Sequence, residues 1–146
     1  MIKRENHPKL ASYMMLEKDN KVLMIRRCNT GWHDGDFTFP AGHVKEDESA
    51  IGTAIREAKE EIGVDIDPGD VVLVHVVHRR YRKEDNGEYV DFYFKTVKWK
   101  GEITLGESCD KAEWISVSGL PENTISIVKT IVNEIANGKL FSTHGW

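Results

Sequence analysis

Glu57, Glu60 and Glu61 stand three and four positions apart in a segment with helical periodicity. At 100° per residue their carboxylates fall on one side of such a helix, away from the stripe formed by Ile51 and Ile55. Glu57 and Glu61 at i,i+4 repel each other, and Glu60 and Glu61 sit in the last turn, where the helix dipole already disfavours negative charge. A hard divalent cation bound by carboxylate oxygens, most commonly Mg²⁺, relieves that conflict. Arg56, four residues before Glu60, is placed to hold that carboxylate in one orientation. Three glutamates alone are more often a solvated acidic face, so the surrounding residues have to decide.

The elements that would position them are legible from pattern. Apolar residues at Ile51, Ala54, Ile55, Ala58 and Ile62 predict a helix over Ala50 to Ile62, with Ser49 as N-cap and Gly63 as the stop. Leu10 to Glu17 and Val22 to Arg27 flank Lys18-Asp19-Asn20-Lys21 and read as a hairpin. Cys28 to Asp36 reads as an irregular loop, and Phe37 to Pro40 as a short extended piece. Strands are expected at Val71 to Val77, at Tyr89 to Lys95 and at Trp114 to Val117. Ile125, Val128, Ile131, Val132 and Ile135 mark a second amphipathic helix, capped by Asn123 and stopped at Gly138. Two helices and about six strands imply an α/β fold with a central sheet covered on both faces.

The stretch from Gly42 to Val64, GHVKEDESAIGTAIREAKEEIGV, resembles the Nudix box, G-x5-E-x7-R-E-U-x-E-E-x-G-U with U aliphatic. Gly42, Glu48, Arg56, Glu57, Glu60, Glu61 and Gly63 occupy all its fixed positions, a coincidence on the order of one in a million at background frequencies. Ala58 is small for the first U position. Weaker resemblance runs through the hairpin, Phe39 to Gly42, and Trp114 with Leu120-Pro121. The resemblance implies an α/β/α sandwich with a mixed sheet, spanning 1–146 as one domain. It also implies hydrolysis of a nucleoside diphosphate linked to another group, with Mg²⁺ or Mn²⁺ as cofactor. In that family's pattern Glu57, Glu60 and Glu61 ligate metal together with the Gly42 carbonyl, and Glu48 supports the site from behind. The base that takes a proton from water varies among relatives, being either a box glutamate or a carboxylate on a later loop; on the loop 105–110 Glu107 is the later candidate here and Asp110 the reserve.

Substrate contacts are expected from the basic residues. His75, His78, Arg79, Arg80 and Arg82 form the densest basic run, and Arg forks match phosphate geometry. Arg27, Arg79 and Tyr81 are the candidates. Arg26 and Arg27 alternate across a strand, so only one of them faces a cleft. His33, His43 and His144 read as loop residues. Trp32 and the tail Phe141 to Trp146 are aromatic enough to stack on a base, although such a tail more often packs on its own domain. Within the resemblance, a proline or tyrosine 16 to 18 positions past the box marks some substrate subgroups. Arg80 and Tyr81 stand there, without the proline. A MutT-like nucleoside triphosphate pyrophosphatase is the first expectation, a dinucleoside polyphosphate or ADP-ribose-like hydrolase the second, and a non-catalytic nucleotide sensor the third.

Composition is compatible with these readings. The 146 residues suffice for a self-sufficient core, since a chain of this length hides roughly 68% of its unfolded surface. Twenty Lys and Arg against 24 Asp and Glu give a net charge of -4, which disfavours polymeric nucleic acid but not a small phosphate ester. Cys28 and Cys109 lack CxxC spacing and are expected to stay reduced. With no apolar run of membrane length, the expectation is a cytoplasmic protein, monomeric or homodimeric, acting on a small nucleotide without membrane contact.

Overall fold

A computed structural model describes residues 7–80 and 87–146. Strands β1 (Lys9–Lys18) and β2 (Lys21–Arg27) form the expected hairpin. Asp19 and Asn20, both at positive φ, make its two-residue turn, the backbone that matches strand twist. The short strands β3 (Phe37–Thr38) and β4 (Ala41–His43) follow, then helix α1 (Ala50–Ile62). After a 3-10 turn at Pro68–Asp70 come β5 (Val71–Arg80), β6 (Glu88–Thr96) and β7 (Cys109–Ser116). Helix α2 (Ser126–Ala136) and strand β8 (Phe141–His144) complete the chain.

One eight-stranded mixed sheet runs β3-β2-β1-β6-β5-β8, with β4 added on β1 and β7 on β2. The β1–β6 and β5–β8 pairs are parallel and the others antiparallel. Alternate side chains of β1 feed two cores, as the period of a strand requires. Tyr13 and Met15 pack with Val128, Ile131 and Val132 of α2, whereas Met14 and Leu16 pack with Ala54, Ala58 and Ile62 of α1. The α/β/α sandwich expected from the sequence is the observed fold.

Where β1 parts from β2, the sheet opens. The two strands pair only at Glu17 and Lys18 beside the turn, and Ala11 to Tyr13 pair instead with β4. That divergence leaves room at the box glycine.

Several details differ from expectation. Strand β5 continues to Arg80, which puts Arg79 inside the sheet. The strand expected at Trp114 begins at Cys109, so Asp110 lies on β7 rather than in a loop. Asn123 does not cap α2: its amide donates to the Gly35 carbonyl at 2.8 Å, and Ile125 opens the helix without a side-chain cap. The aromatic tail is a strand, β8, paired with Val76 to Arg79, so His144 is a strand residue, as is His43 at the end of β4. No helix among the described residues is long and apolar enough to cross a membrane.

Candidate active site

Helix α1 is set by its ends. The Ser49 hydroxyl accepts from the Gly52 N–H at 3.0 Å, and Gly63 ends the helix in the left-handed region at φ 75°, where glycine carries no steric cost. Beyond it, the Thr104 N–H donates to the Ile62 carbonyl and the Gly106 N–H to that of Glu61, both at 2.9 Å. The glutamate-bearing face is thus fixed relative to the loop that precedes β7.

Arg56 is the hub of this face. Its Nε and Nη2 donate to the two oxygens of Glu48 at 2.7 and 3.0 Å, a bidentate pair. Its Nη1 donates to Glu57 at 2.9 Å and to Glu60 at 3.2 Å, and Nη2 also reaches the His43 carbonyl at 3.3 Å. The sequence placed Arg56 beside Glu60 alone; the shortest contact is to Glu48. Arg56, and then the Thr53 hydroxyl at 2.6 Å, hold the Glu48 carboxyl down at about 2.

The three glutamates are spread along this face rather than closed on one point. Among the described residues no three His, Cys, Asp or Glu side chains converge tightly enough to enclose an ion in this arrangement. Glu60 is half exposed against Arg56. Glu57 lies under Gly42, where an added Cβ would stand 2.0 Å from its Oε1, so a side chain at position 42 would displace the Glu57 carboxylate. Burial raises the Glu57 pKa, and Arg56 opposes that rise. Glu61 is buried rather than on the outer face: its Oε2 accepts from the Ala41 N–H at 3.0 Å and its Oε1 from the Ser108 hydroxyl at 3.4 Å. Burial first, and Glu57 second, push its pKa up to about 8. The residues fit a hard cation in two respects: all the side-chain donors are carboxylate oxygens, and among the described residues Glu61 is a buried acid with no cationic side chain bonded to it.

A cleft of about 490 Å³ opens beside Gly42 and Glu61, with Arg27 and Trp32 on the β2 side and Arg79 and Tyr89 on the β5–β6 side. A larger hollow of about 920 Å³ lies at the far end of β1, around Lys18, Asp65 and Trp99, and none of the box glutamates lines it.

Arg27 donates to the Trp32 carbonyl at 2.7 Å and to the Thr30 hydroxyl at 2.8 Å. Arg26 turns away to Asp110, at 2.8 Å, which also leaves Asp110 engaged as the reserve base. Arg79 is buried, ion-paired with Asp91, and stacked over Tyr89 at 4.2 Å. His75 is fully buried between the Lys139 carbonyl and the Ser142 hydroxyl, and His78 pairs with Glu88, so the basic run is not one exposed patch. Tyr81 and Arg82 lie outside the described residues. Glu107 is exposed on the turn before β7, beside Asn29 and Ser108 in a shallow recess, adjacent to but not within the cleft. Cys28 and Cys109 are free thiols; Cys109 donates to the Glu61 carbonyl at 3.2 Å. Sequence reasoning did not find Ser108, Thr53 or the Ala41 N–H. Only Thr53, one helical turn after Ser49, carried a local signal.

A family model described as NUDIX domain matches residues 6–132. The chain is 30% identical over 116 residues to an ADP-ribose pyrophosphatase of Methanocaldococcus jannaschii, covering 80% of this chain and 66%, just under two thirds, of that one. It is 28% identical over 104 residues to an 8-oxo-dGTP diphosphatase of Proteus vulgaris, covering 71% of this chain and 87% of the relative. Its fold superposes on a crystal structure of a MutT NUDIX hydrolase from Burkholderia pseudomallei with a TM-score of 0.77 at 19% identity, over 88% and 98% of the two chains. At that identity the likeness is one of fold.

Proposed function

The chain belongs to the Nudix family, and we propose that it is a divalent-metal-dependent hydrolase of a pyrophosphate bond in a nucleoside diphosphate joined to another group. A nucleoside triphosphate, giving the monophosphate and pyrophosphate, is the first substrate class. In this reading residues 1–146 act as one domain with the box at 42–64. The observation that carries it is the packing of the Glu57 carboxylate directly against Gly42, beside a buried Glu61 held by the Ala41 N–H.

Glu57, Glu60 and Glu61, with the Gly42 carbonyl, would hold Mg²⁺, or Mn²⁺ in its place. When bound, the ion would supply charge neutralisation at phosphate oxygens and a water of lowered pKa. The chain's own groups do the rest. Arg56 fixes the carboxylates and ties them to Glu48, so the face is ordered before substrate arrives. Glu61, oriented by the Ala41 N–H and the Ser108 hydroxyl, would be one of the ligands. Glu107, exposed on the turn before β7 outside the cleft lining, is the later-loop carboxylate assigned to take the proton from the attacking water. Arg79, backed by Asp91, lines the far wall toward substrate.

A second reading, hydrolysis of an ADP-ribose-like or dinucleoside substrate, is favoured by both Trp32 and Tyr89 lining the cleft and by the name of the archaeal relative. The protein acts in this reading on small nucleotides in the cytoplasm, as a monomer or homodimer. The test is a panel of nucleoside triphosphates, ADP-ribose and diadenosine tetraphosphate with Mg²⁺, read out by product mass. Cleavage of a pyrophosphate bond in at least one is expected. A protein that binds nucleotides and cleaves none would instead be a sensor built on the same fold.

A further inference from the structure

The loop between β2 and β3 is built more firmly than a connection requires. Asn29, Gly31, His33 and Gly35 all have positive φ, at 56°, 78°, 50° and 89°. Asn29 and His33 are the two non-glycine residues there, in a backbone region that side chains adopt uncommonly. Asp34 folds the loop by accepting from the N–H groups of Thr30 and Gly31, at 3.2 and 2.8 Å, and from the Thr30 hydroxyl. Arg27 closes it from below, bonded to the Trp32 carbonyl and Thr30, with its guanidinium 4.9 Å from the centre of the Trp32 ring. His33 stands edge-on to the same ring at 4.2 Å and is itself held by Asp36 at 2.8 Å. What this order presents is an indole left 47% exposed, on the wall of the cleft that holds Gly42 and Glu61. Besides its contacts with Arg27 and His33, the ring therefore keeps aromatic surface open at the cleft.

We infer that Trp32 is the platform on which the base of the substrate stacks, and that Arg27 is a positioning residue for that platform rather than a phosphate-binding arm. The inference rests on the proposed nucleotide chemistry and names how the nucleoside end is held. Nε and Nη2 of Arg27 each donate to the loop, and its guanidinium lies against the indole, so its observed contacts are with the platform. Stacking reads a π-face and not a hydrogen-bond pattern, so the site tolerates different bases and discriminates against base-free diphosphates.

Two measurements test it, on Trp32→Ala, Trp32→Phe, Arg27→Ala and the Trp32→Ala/Arg27→Ala double variant. For each nucleotide that the wild type hydrolyses, Trp32→Ala is expected to raise KM by about 10- to 100-fold, with a smaller change in kcat, and Trp32→Phe to recover most of the loss. Arg27→Ala is expected to raise KM similarly, with the double variant no worse than Trp32→Ala alone. In EDTA, ATP and ADP-ribose are expected to quench tryptophan emission of the wild type; inorganic triphosphate leaves it unchanged, and Trp32→Phe abolishes the quench. A KM within twofold of wild type in Trp32→Ala overturns the platform. Multiplying effects in the double variant return Arg27 to an independent contact. If ATP quenches through Trp32 while no nucleotide is cleaved, the hydrolase reading fails and the platform stands; cleavage with KM unaltered is the reverse.

Discussion

Arg56 serves three carboxylates and a carbonyl with one planar group, and its closest partner, Glu48, is eight residues away. The spacing of Glu57, Glu60 and Glu61 was legible in the sequence because helical period alone fixes it. That Glu61 turns inward to the Ala41 N–H was not, because that bond depends on β4 lying against α1. Glu48 titrates near 2, below its ordinary 4.5. An acid whose folded pKa is depressed stabilises the fold above the unfolded pKa, and that stability is lost as pH falls through the folded value. Glu48→Gln is therefore expected to lower the melting temperature at pH 7, with the gap to wild type closing between pH 4.5 and 2. A gap unchanged over that range would remove Glu48 from the ion pair. Cys109, buried, has its thiol pushed up to about 11, so iodoacetamide at pH 8 is expected to label Cys28 and spare Cys109 in the native protein; peptide masses read the outcome.

Elements position these groups through close approaches at two glycines, Gly42 and Gly106. Gly42→Ala would set a methyl group against the Glu57 carboxylate. We expect kcat to fall about 100-fold with the fold intact by circular dichroism; near-normal turnover would mean that Glu57 is free to move without consequence. Gly106 is similarly tight, with an added Cβ 2.2 Å from the Glu60 carbonyl oxygen. Gly106→Ala is expected to cost about 1–3 kcal/mol in denaturant unfolding, because backbone must shift. The bounds of α1 were readable since cap, stripe and stop agree over 13 residues. Strand β8 was not: its four residues carry no clean alternation, and only the parallel edge of β5 gives them a place. Asn123 shows the same limit, being a good cap by type that tertiary contact claims for Gly35.

At the scale of the molecule, the site exists because β1 is shared. It pairs with β2 at one end, β4 at the other and β6 along its length, and it supplies side chains to both helical layers. The cleft follows from that divergence, which no local pattern in the sequence announces. The larger hollow near Trp99 shows that volume alone does not locate chemistry. Glu60→Gln and Glu61→Gln are each expected to reduce turnover by on the order of 100-fold or more. Whether this reflects loss of the cation is read most directly by titrating metal-free protein with Mn²⁺ in a calorimeter, without any nucleotide. Wild type is expected to bind, with Glu57→Gln and Glu61→Gln each weakening the affinity at least about tenfold. Equal affinity in all three proteins would contradict the assignment of these carboxylates as the metal site.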